Sequence, residues 1–359
     1  MSIDSPAKRA RMDSFSTLPS IMNNDSYLDT GFPLIDLHRH LDGAIRLETV
    51  LELAQEKGIG LPANDLESLR PHIVVDGKAD GLMDFIGRFQ WLTAILTDLD
   101  ACRRVAYENV EDALHEGIDY VELRFSPVFM AEAHGLQTEG VVEAVADGIK
   151  AAERDTGVRA QMIGIMSRTY DTATCHHELD ALLANRDHLV AVDLAGDEEK
   201  FPAGLFVDHF RRAREAGLEV TVHAGEVDGP GSVWSAIREL GASRIGHGIH
   251  SLEDPALVEY LVESRTGLEV AITSNIQIGT VDEYALHPVK KILESGIVAN
   301  LNTDDPAISG IDLRHEYEVA APLAGLDSRL TRLAQRNALE MAFLSEKEKE
   351  MLLNKYKIQ

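Results

Sequence analysis

Past Pro33 the chain alternates between short β-branched or apolar runs and longer stretches whose apolar residues recur every three or four positions. The short runs are Leu34–Leu37, Tyr120–Phe125, Met162–Ile165, Leu189–Leu194, Val220–His223, Arg244–Gly246, Leu268–Ile272 and Val298–Asn302. Between them lie segments such as Val141–Glu153, Phe206–Ala216 and Val233–Leu240, with the spacing that gathers apolar side chains on one helical face. Eight strands alternating with helices predict an α/β protein, a closed parallel (β/α)8 TIM barrel. An open doubly wound sheet fits less well, because no G-x-G-x-x-G follows the first strand.

One connection is far longer than a βα unit requires, from Leu41 to Asp119 between the first and second strands. It carries helical patterns of its own at Leu47–Lys57, Met83–Leu96 and Cys102–His115, and so reads as a helical insertion. Insertions after a barrel strand sit at the C-terminal face, where barrel enzymes keep their active sites. This one is expected to cover the pocket. Arg329 to about Lys357 reads as C-terminal helices packed outside the barrel. Residues 1–30 are Ser/Asn/Asp-rich without apolar period and read as a disordered leader. Within it Lys8-Arg9-Ala10-Arg11 resembles a short localisation signal but reads better as a solvated tail. Residues 31–359 then form a single domain.

Charge narrows the partners. Lys and Arg total 34 against 60 Asp and Glu, a net charge of -26 over 359 residues, which argues against a nucleic-acid partner. The two cysteines, Cys102 and Cys175, stand far apart, so neither a disulfide scaffold nor a cysteine-ligated zinc site is available. No apolar stretch approaches the ~20 residues that a bilayer crossing needs, and the N-terminus lacks a signal-type apolar core. A cytoplasmic protein with no membrane partner is expected, its oligomeric state left open.

Three polar fragments each close one of the short runs: His38-Arg39-His40, His223-Ala224-Gly225-Glu226 and Asp304-Asp305-Pro306. On an extended segment His38 and His40 point to the same side. With His223 and Asp304 they make three imidazoles and a carboxylate at strand ends. Zinc accepts that mixture at about 2.0–2.2 Å and keeps a position open for water. Glu226 adjoins the set without being needed as a ligand, and is free to move protons. A hydrolytic metal site follows. Arg124 and Ser126 end the second strand and Arg168 follows the third; they either line the pocket or pair with acidic neighbours at its rim. Met83, Phe85, Ile86, Phe89 and Trp91 either wall off the substrate or fill a helix core. Cys102 and Cys175 read as structural thiols.

In order along the chain, Asp36-Leu37-His38-Arg39-His40-Leu41-Asp42-Gly43, His223-Ala224-Gly225-Glu226, Gly246-His247-Gly248, Thr273-Ser274-Asn275 and Asn302-Thr303-Asp304-Asp305-Pro306 resemble the signatures of the adenosine deaminase family of the amidohydrolase superfamily. Asp193-Leu194-Ala195-Gly196-Asp197-Glu198 and Leu339-Glu340-Met341-Ala342-Phe343 are similar to its bacterial members. The resemblance runs from about Pro33 to Ser345. It implies a (β/α)8 barrel holding one zinc ion per chain on His38, His40, His223 and Asp304. The implied reaction is hydrolytic deamination of adenosine and 2′-deoxyadenosine to the inosines plus ammonia, in purine salvage and nucleoside catabolism. Glu226 would protonate purine N1, while His247 would orient and deprotonate the attacking water. Asp305 would bond purine N7, the Gly196 N–H would meet N3, and Asp42 would sit near the ribose 5′-hydroxyl, with His40 also against the substrate.

Several competing readings are weighed by single residues. Related adenine deaminases look like H-x-H-x-E-G where this chain has His40-Leu41-Asp42-Gly43, so Asp42 favours a nucleoside over a free base. Adenine, aminodeoxyfutalosine or an N6-substituted AMP is the alternative substrate. Dinuclear relatives carry a lysine at the end of the fourth strand; Asp193-Leu194-Ala195-Gly196 has none, which favours a single metal. The P-C-x-x-C of cytidine-type deaminases is absent. A dead barrel kept for binding would have lost a ligand or proton carrier, and all seven (His38, His40, His223, Glu226, His247, Asp304, Asp305) are present.

Overall fold

The structure, a computed structural model, describes residues 26–357. Its framework is eight parallel strands paired in chain order: β1 (Ile35–His40), β2 (Tyr120–Phe125), β3 (Arg159–Ser167), β4 (Leu189–Ala195), β5 (Glu219–Ala224), β6 (Arg244–His247), β7 (Gly267–Val270) and β8 (Ala299–Leu301). Strand residues are almost all buried, as parallel strands covered by helices on one face and packed side chains on the other must be. All eight expected strands are present. The expected extension of the seventh to Ile272 is not, because Ile272–Ile278 is a helix. Glu316 accepts the Ile272 and Thr273 amides at 2.9 and 3.1 Å, satisfying the first N–H groups of that helix in place of a strand partner.

The barrel closes between β8 and β1 through a single bridge pair, Arg39 with Asp304. The His40 N–H donates to the Asp304 carbonyl and the Asp304 N–H to the His38 carbonyl, both at 2.8 Å. Two side chains add to this seam. Thr303 Oγ1 donates to Asp36 at 2.6 Å and Asn302 Oδ1 accepts the Leu37 N–H at 2.9 Å.

The β1–β2 connection is helical, as its pattern predicts: α1 (Leu47–Lys57), α2 (Leu66–Ile73), α3 (Leu82–Gly87), α4 (Phe89–Thr93) and α5 (Leu99–Glu116). The carboxylate of Asp98 starts α5 by accepting the Ala101 N–H, and Gly117 ends it with φ 79°. One helix was expected over Met83–Leu96; two short ones form, separated at Arg88, next to Gly87, a poor helix former. Ahead of α3 the chain is pinned to the barrel rim. Val75 N–H donates to the Ile308 carbonyl at 2.8 Å and Ala79 N–H to the Gln277 carbonyl at 2.7 Å. Those bonds lay α3 and α4 across the C-terminal end of the strands.

Ser328–Met341 and Glu346–Lys357 are the expected C-terminal helices. The first seals the opposite end, where Asn337 Nδ2 reaches the Ala299 carbonyl at 2.8 Å and Arg244 Nη1 the Met341 carbonyl at 3.0 Å. Of the expected leader, residues 1–25, with Lys8-Arg9-Ala10-Arg11, lie outside the described residues. Residues 26–30 lie along the first C-terminal helix, with Leu28 buried and Thr331 Oγ1 bonded to the Tyr27 carbonyl at 2.6 Å. Packing therefore reaches back past the expected boundary at residue 31. Among the described residues no helix is long and apolar enough to cross a membrane.

Candidate active site

β1 delivers His38 and His40 to one side, β5 carries His223 near its end, and Asp304 follows β8. His40 Nε2 lies 3.3 Å from His223 Nε2 and 3.3 Å from Asp304 Oδ1, and His38 Nε2 lies 3.2 Å from the same oxygen. All four side chains are buried, with ligand atoms within 4.8 Å of one another. Asp304 reaches this place with φ 63°, left-handed backbone that a non-glycine residue adopts only where its surroundings enforce it. Here the seam bonds to β1 do so.

The outer ring nitrogens show which way the lone pairs turn. His38 Nδ1 faces Glu269 at 2.8 Å and His223 Nδ1 faces Asp193 at 3.0 Å. Those bonds place the ring protons on Nδ1, so both Nε2 lone pairs point into the cluster. His38 Nε2 has no hydrogen-bond partner there. Burial opposes ionisation of Asp304, and positive charge on the adjacent His38 would outweigh it and hold the carboxyl well below the usual carboxylate range; with the His38 proton kept on Nδ1, a bound cation would supply that charge instead. Inward lone pairs beside a buried anion are satisfied by a cation, and this donor set fits a metal ion.

Beneath the cluster Arg124 joins the two backing carboxylates, 2.8 Å from Asp193 and 2.6 Å from Glu269, with all three side chains wholly buried. Arg244 holds the second oxygen of Glu269 at 2.6 Å. Arg124 thus neither lines the pocket nor sits at its rim. Nor does Arg168, which is buried and donates to the His223 carbonyl at 2.7 Å. Of the three residues only Ser126 lines the pocket. Because Glu269 orients the ring of His38, a candidate ligand, Glu269→Gln is expected to weaken metal binding about 10- to 100-fold. Competition with a chelating dye measures it, on protein whose circular dichroism matches the parent. Unaltered affinity would reduce Glu269 to a packing role.

Above the cluster opens a pocket with about 560 Å³ of atom-free space. Leu82, Phe85, Ile86 and Phe89 from α3 and α4 form its apolar wall, so three of the five candidates, whose spacing reads more readily as helix core, face the pocket. Met83 instead faces outward, 52% exposed, and Trp91 packs against the core. His40, Asp42, Gly196, Glu226, His247, Asp304 and Asp305 all reach the pocket.

Glu226 Oε1 lies 3.5 Å from His247 Nε2. Burial raises the Glu226 carboxyl well above its ordinary value, and the charges of Asp304 and Glu198 push it the same way. It therefore keeps its proton. Burial lowers His247 well below the usual imidazole value, so that ring is neutral. Asn275 Nδ2 lies 3.1 Å from His247 Nδ1, while the Asn275 oxygen faces His287 Nε2 at 3.2 Å. This network assigns Asn275 as donor to Nδ1 and leaves the His247 proton on Nε2, facing the pocket. Asp305 is also raised, by burial and then by Asp304 beside it, and its Oδ1 has no partner. Burial lifts Asp42 to about 7; its Oδ2 accepts the Ser126 N–H at 3.2 Å. Gly196 sits at φ 109°, where a Cβ would overlap Thr169.

Residues 33–358 match the family described as adenosine deaminase. The chain belongs to the adenosine deaminase family. An adenosine deaminase of Edwardsiella ictaluri is 57% identical over 325 residues, 90% of this chain and 98% of that protein. Among solved structures, an adenine deaminase from Arthrobacter aurescens superposes with a TM-score of 0.84 at 28% identity, over 91% of this chain and 98% of that one. The N6-methyl-AMP deaminase of Arabidopsis thaliana gives 0.76 at 26% identity, over 91% and 97%.

Four contributors to this adenosine deaminase family site carry no role in the sequence reading, Asp193 behind His223 among them. Glu269 had a signal, a lone charge inside an apolar strand. Glu198 and Asn275 lie within quoted motifs, but their partners Gly225 to Asp228 and His247 are distant in sequence.

Proposed function

We propose that the chain is a zinc-dependent aminohydrolase that converts adenosine and 2′-deoxyadenosine to the corresponding inosines and ammonia, a reaction suited to purine salvage. One zinc ion would rest on His38, His40, His223 and Asp304. The observation that carries the reading is a buried three-imidazole, one-carboxylate cluster at the floor of an apolar pocket, with a protonated carboxyl beside it.

A metal ion bound there supplies the Lewis acidity that makes water a nucleophile near neutral pH. Everything else falls to side chains. As water adds to the amine-bearing carbon, Glu226 donates its proton to purine N1 and prevents charge from building on the ring. His247, neutral with its proton on Nε2, orients the attacking water and steadies negative charge on oxygen. The role of taking the water's proton accordingly moves from His247 to Asp304, which is anionic. Asp305, protonated, donates to purine N7. The Gly196 backbone faces N3, and its missing side chain leaves room for Thr169 beside it. Asp42 and His40 border the sugar. A 5′-phosphate would meet Asp42 and, behind Ser126, Glu178 (2.5 Å from Ser126 Oγ), two acidic groups that disfavour a nucleotide.

Gly43 tests the Asp305 assignment. A Cβ at Gly43 would overlap the Asp305 carboxylate, so Gly43→Ala is expected to displace it. The expected result is a KM for adenosine raised about tenfold, one hydrogen bond's worth, at unchanged metal content. An unaltered KM would remove Asp305 from substrate binding.

Ultraviolet absorbance over time, with adenosine, 2′-deoxyadenosine, adenine and AMP offered separately with and without a chelator, tests the whole reading. Chelator-sensitive turnover of the two nucleosides alone is the expected result. Turnover of adenine or AMP instead would overturn the substrate assignment resting on Asp42.

A further inference from the structure

Glu198 lies two residues past the Gly196 turn after β4, and its carboxylate is 2% exposed. No cation neutralises it within ion-pair distance among the described residues. Instead it accepts four successive backbone N–H groups. Oε1 takes Gly225 at 2.6 Å, and Oε2 takes Glu226, Val227 and Asp228 at 3.2, 3.1 and 3.2 Å. Ser232 Oγ adds a bond to Oε1. The amide of Glu226 itself is among the four. Gly225, at φ 64°, makes the turn off β5 that these bonds hold in place. On the other side of that turn Arg168 holds the His223 carbonyl at 2.7 Å, and the Gly225 carbonyl accepts the His250 N–H at 3.2 Å. Those two bonds hold the stretch from His223 to Gly225, and among the described residues Glu198 is the one side chain that binds the amides from Gly225 to Asp228.

We infer that Glu198 is a positioning residue: it sets the backbone from which Glu226 reaches the purine, and acts on the reaction only through Glu226. This rests on the proposed role of Glu226. Four amides converging on two oxygens form an anion nest, and a neutral or shorter side chain cannot satisfy them all. Without it the turn relaxes and the Glu226 carboxyl loses its alignment with N1. A misplacement of about 1 Å is enough to cost on the order of 10²-fold in rate.

The test is a double-mutant cycle on zinc-loaded full-length protein, using Glu198→Gln, Glu226→Gln and the pair, with adenosine as substrate. Glu198→Gln is expected to lower kcat per bound zinc on the order of 10²-fold, with KM and inhibition by inosine within about threefold. In the Glu226→Gln background the same substitution should cost nothing further, since non-additivity marks two residues acting as one. Glu198→Asp, which keeps the charge but withdraws it by one methylene, should be impaired as well. Full additivity in the cycle, or an unchanged kcat per bound zinc in Glu198→Gln, would overturn the inference. A loss of activity that merely follows a loss of bound zinc would do the same. Should Glu226→Gln alone stay active, the reading of Glu226 would fall first, which the cycle shows separately.

Discussion

Glu226→Gln is expected to retain its metal and lose turnover by 10²- to 10⁴-fold, about what a positioned general acid contributes. Glutamine keeps the shape and a hydrogen-bond donor, so the purine should still bind. What it cannot do is release a proton. The site makes this a demanding test, because the acid form of Glu226 is built in by burial and by the negative charges of Asp304 and Glu198. The sign of the pH dependence follows. The folded carboxyl titrates above its ordinary value, so the parent enzyme is active while that proton is held and loses kcat/KM as pH rises through the raised value. Glu226→Gln should lack that basic limb. Stopped-flow or absorbance assays with adenosine, beside zinc analysis of the same sample, decide the matter. Activity within tenfold of the parent would pass the acid role to another group, with Asp305 the nearest protonated candidate.

Removing the ion is the second large effect. Chelation, or Asp304→Ala, is expected to abolish activity, because no neighbouring side chain is a strong enough base to make water attack an aromatic carbon unaided. The chelated protein should recover when zinc is returned; the variant should not recover at stoichiometric zinc. A folding signature accompanies the loss. An ion present at a thousandfold excess over its Kd stabilises the native state by about 4 kcal/mol, so calorimetry should show a melting temperature lower by on the order of 5 °C after chelation. Full activity in protein stripped of metal would refute the site as described.

Much of this was readable in the chain because the informative residues are local. H-x-H on a strand, H-A-G-E after another and D-D-P after the last each place their chemistry without reference to anything distant. The strands were legible for the same reason. Where the reading failed, a remote partner had decided the outcome. Val270-Ala271-Ile272 has a strand's composition, yet Glu316, far along the chain, claims the amides of Ile272 and Thr273 and starts a helix. Arg124 and Arg168 looked like rim residues because arginine seldom lies fully buried. Their burial depends on carboxylates and carbonyls contributed by other strands. Met83–Leu96 carries one helical pattern that the pinned rim and Gly87 divide into two.

The end of the last strand is bridged to the first at Arg39 and Asp304, and Asp304 belongs with His38 and His40 to the proposed metal set. A nascent chain therefore has no complete ligand set until the final strand has come home against the first, more than 260 positions earlier in synthesis. Loading becomes a receipt for finished assembly: an unclosed barrel offers at most His38, His40 and His223, without the Asp304 carboxylate that completes the candidate set. Cells short of the metal would accumulate chains that are closed but unloaded.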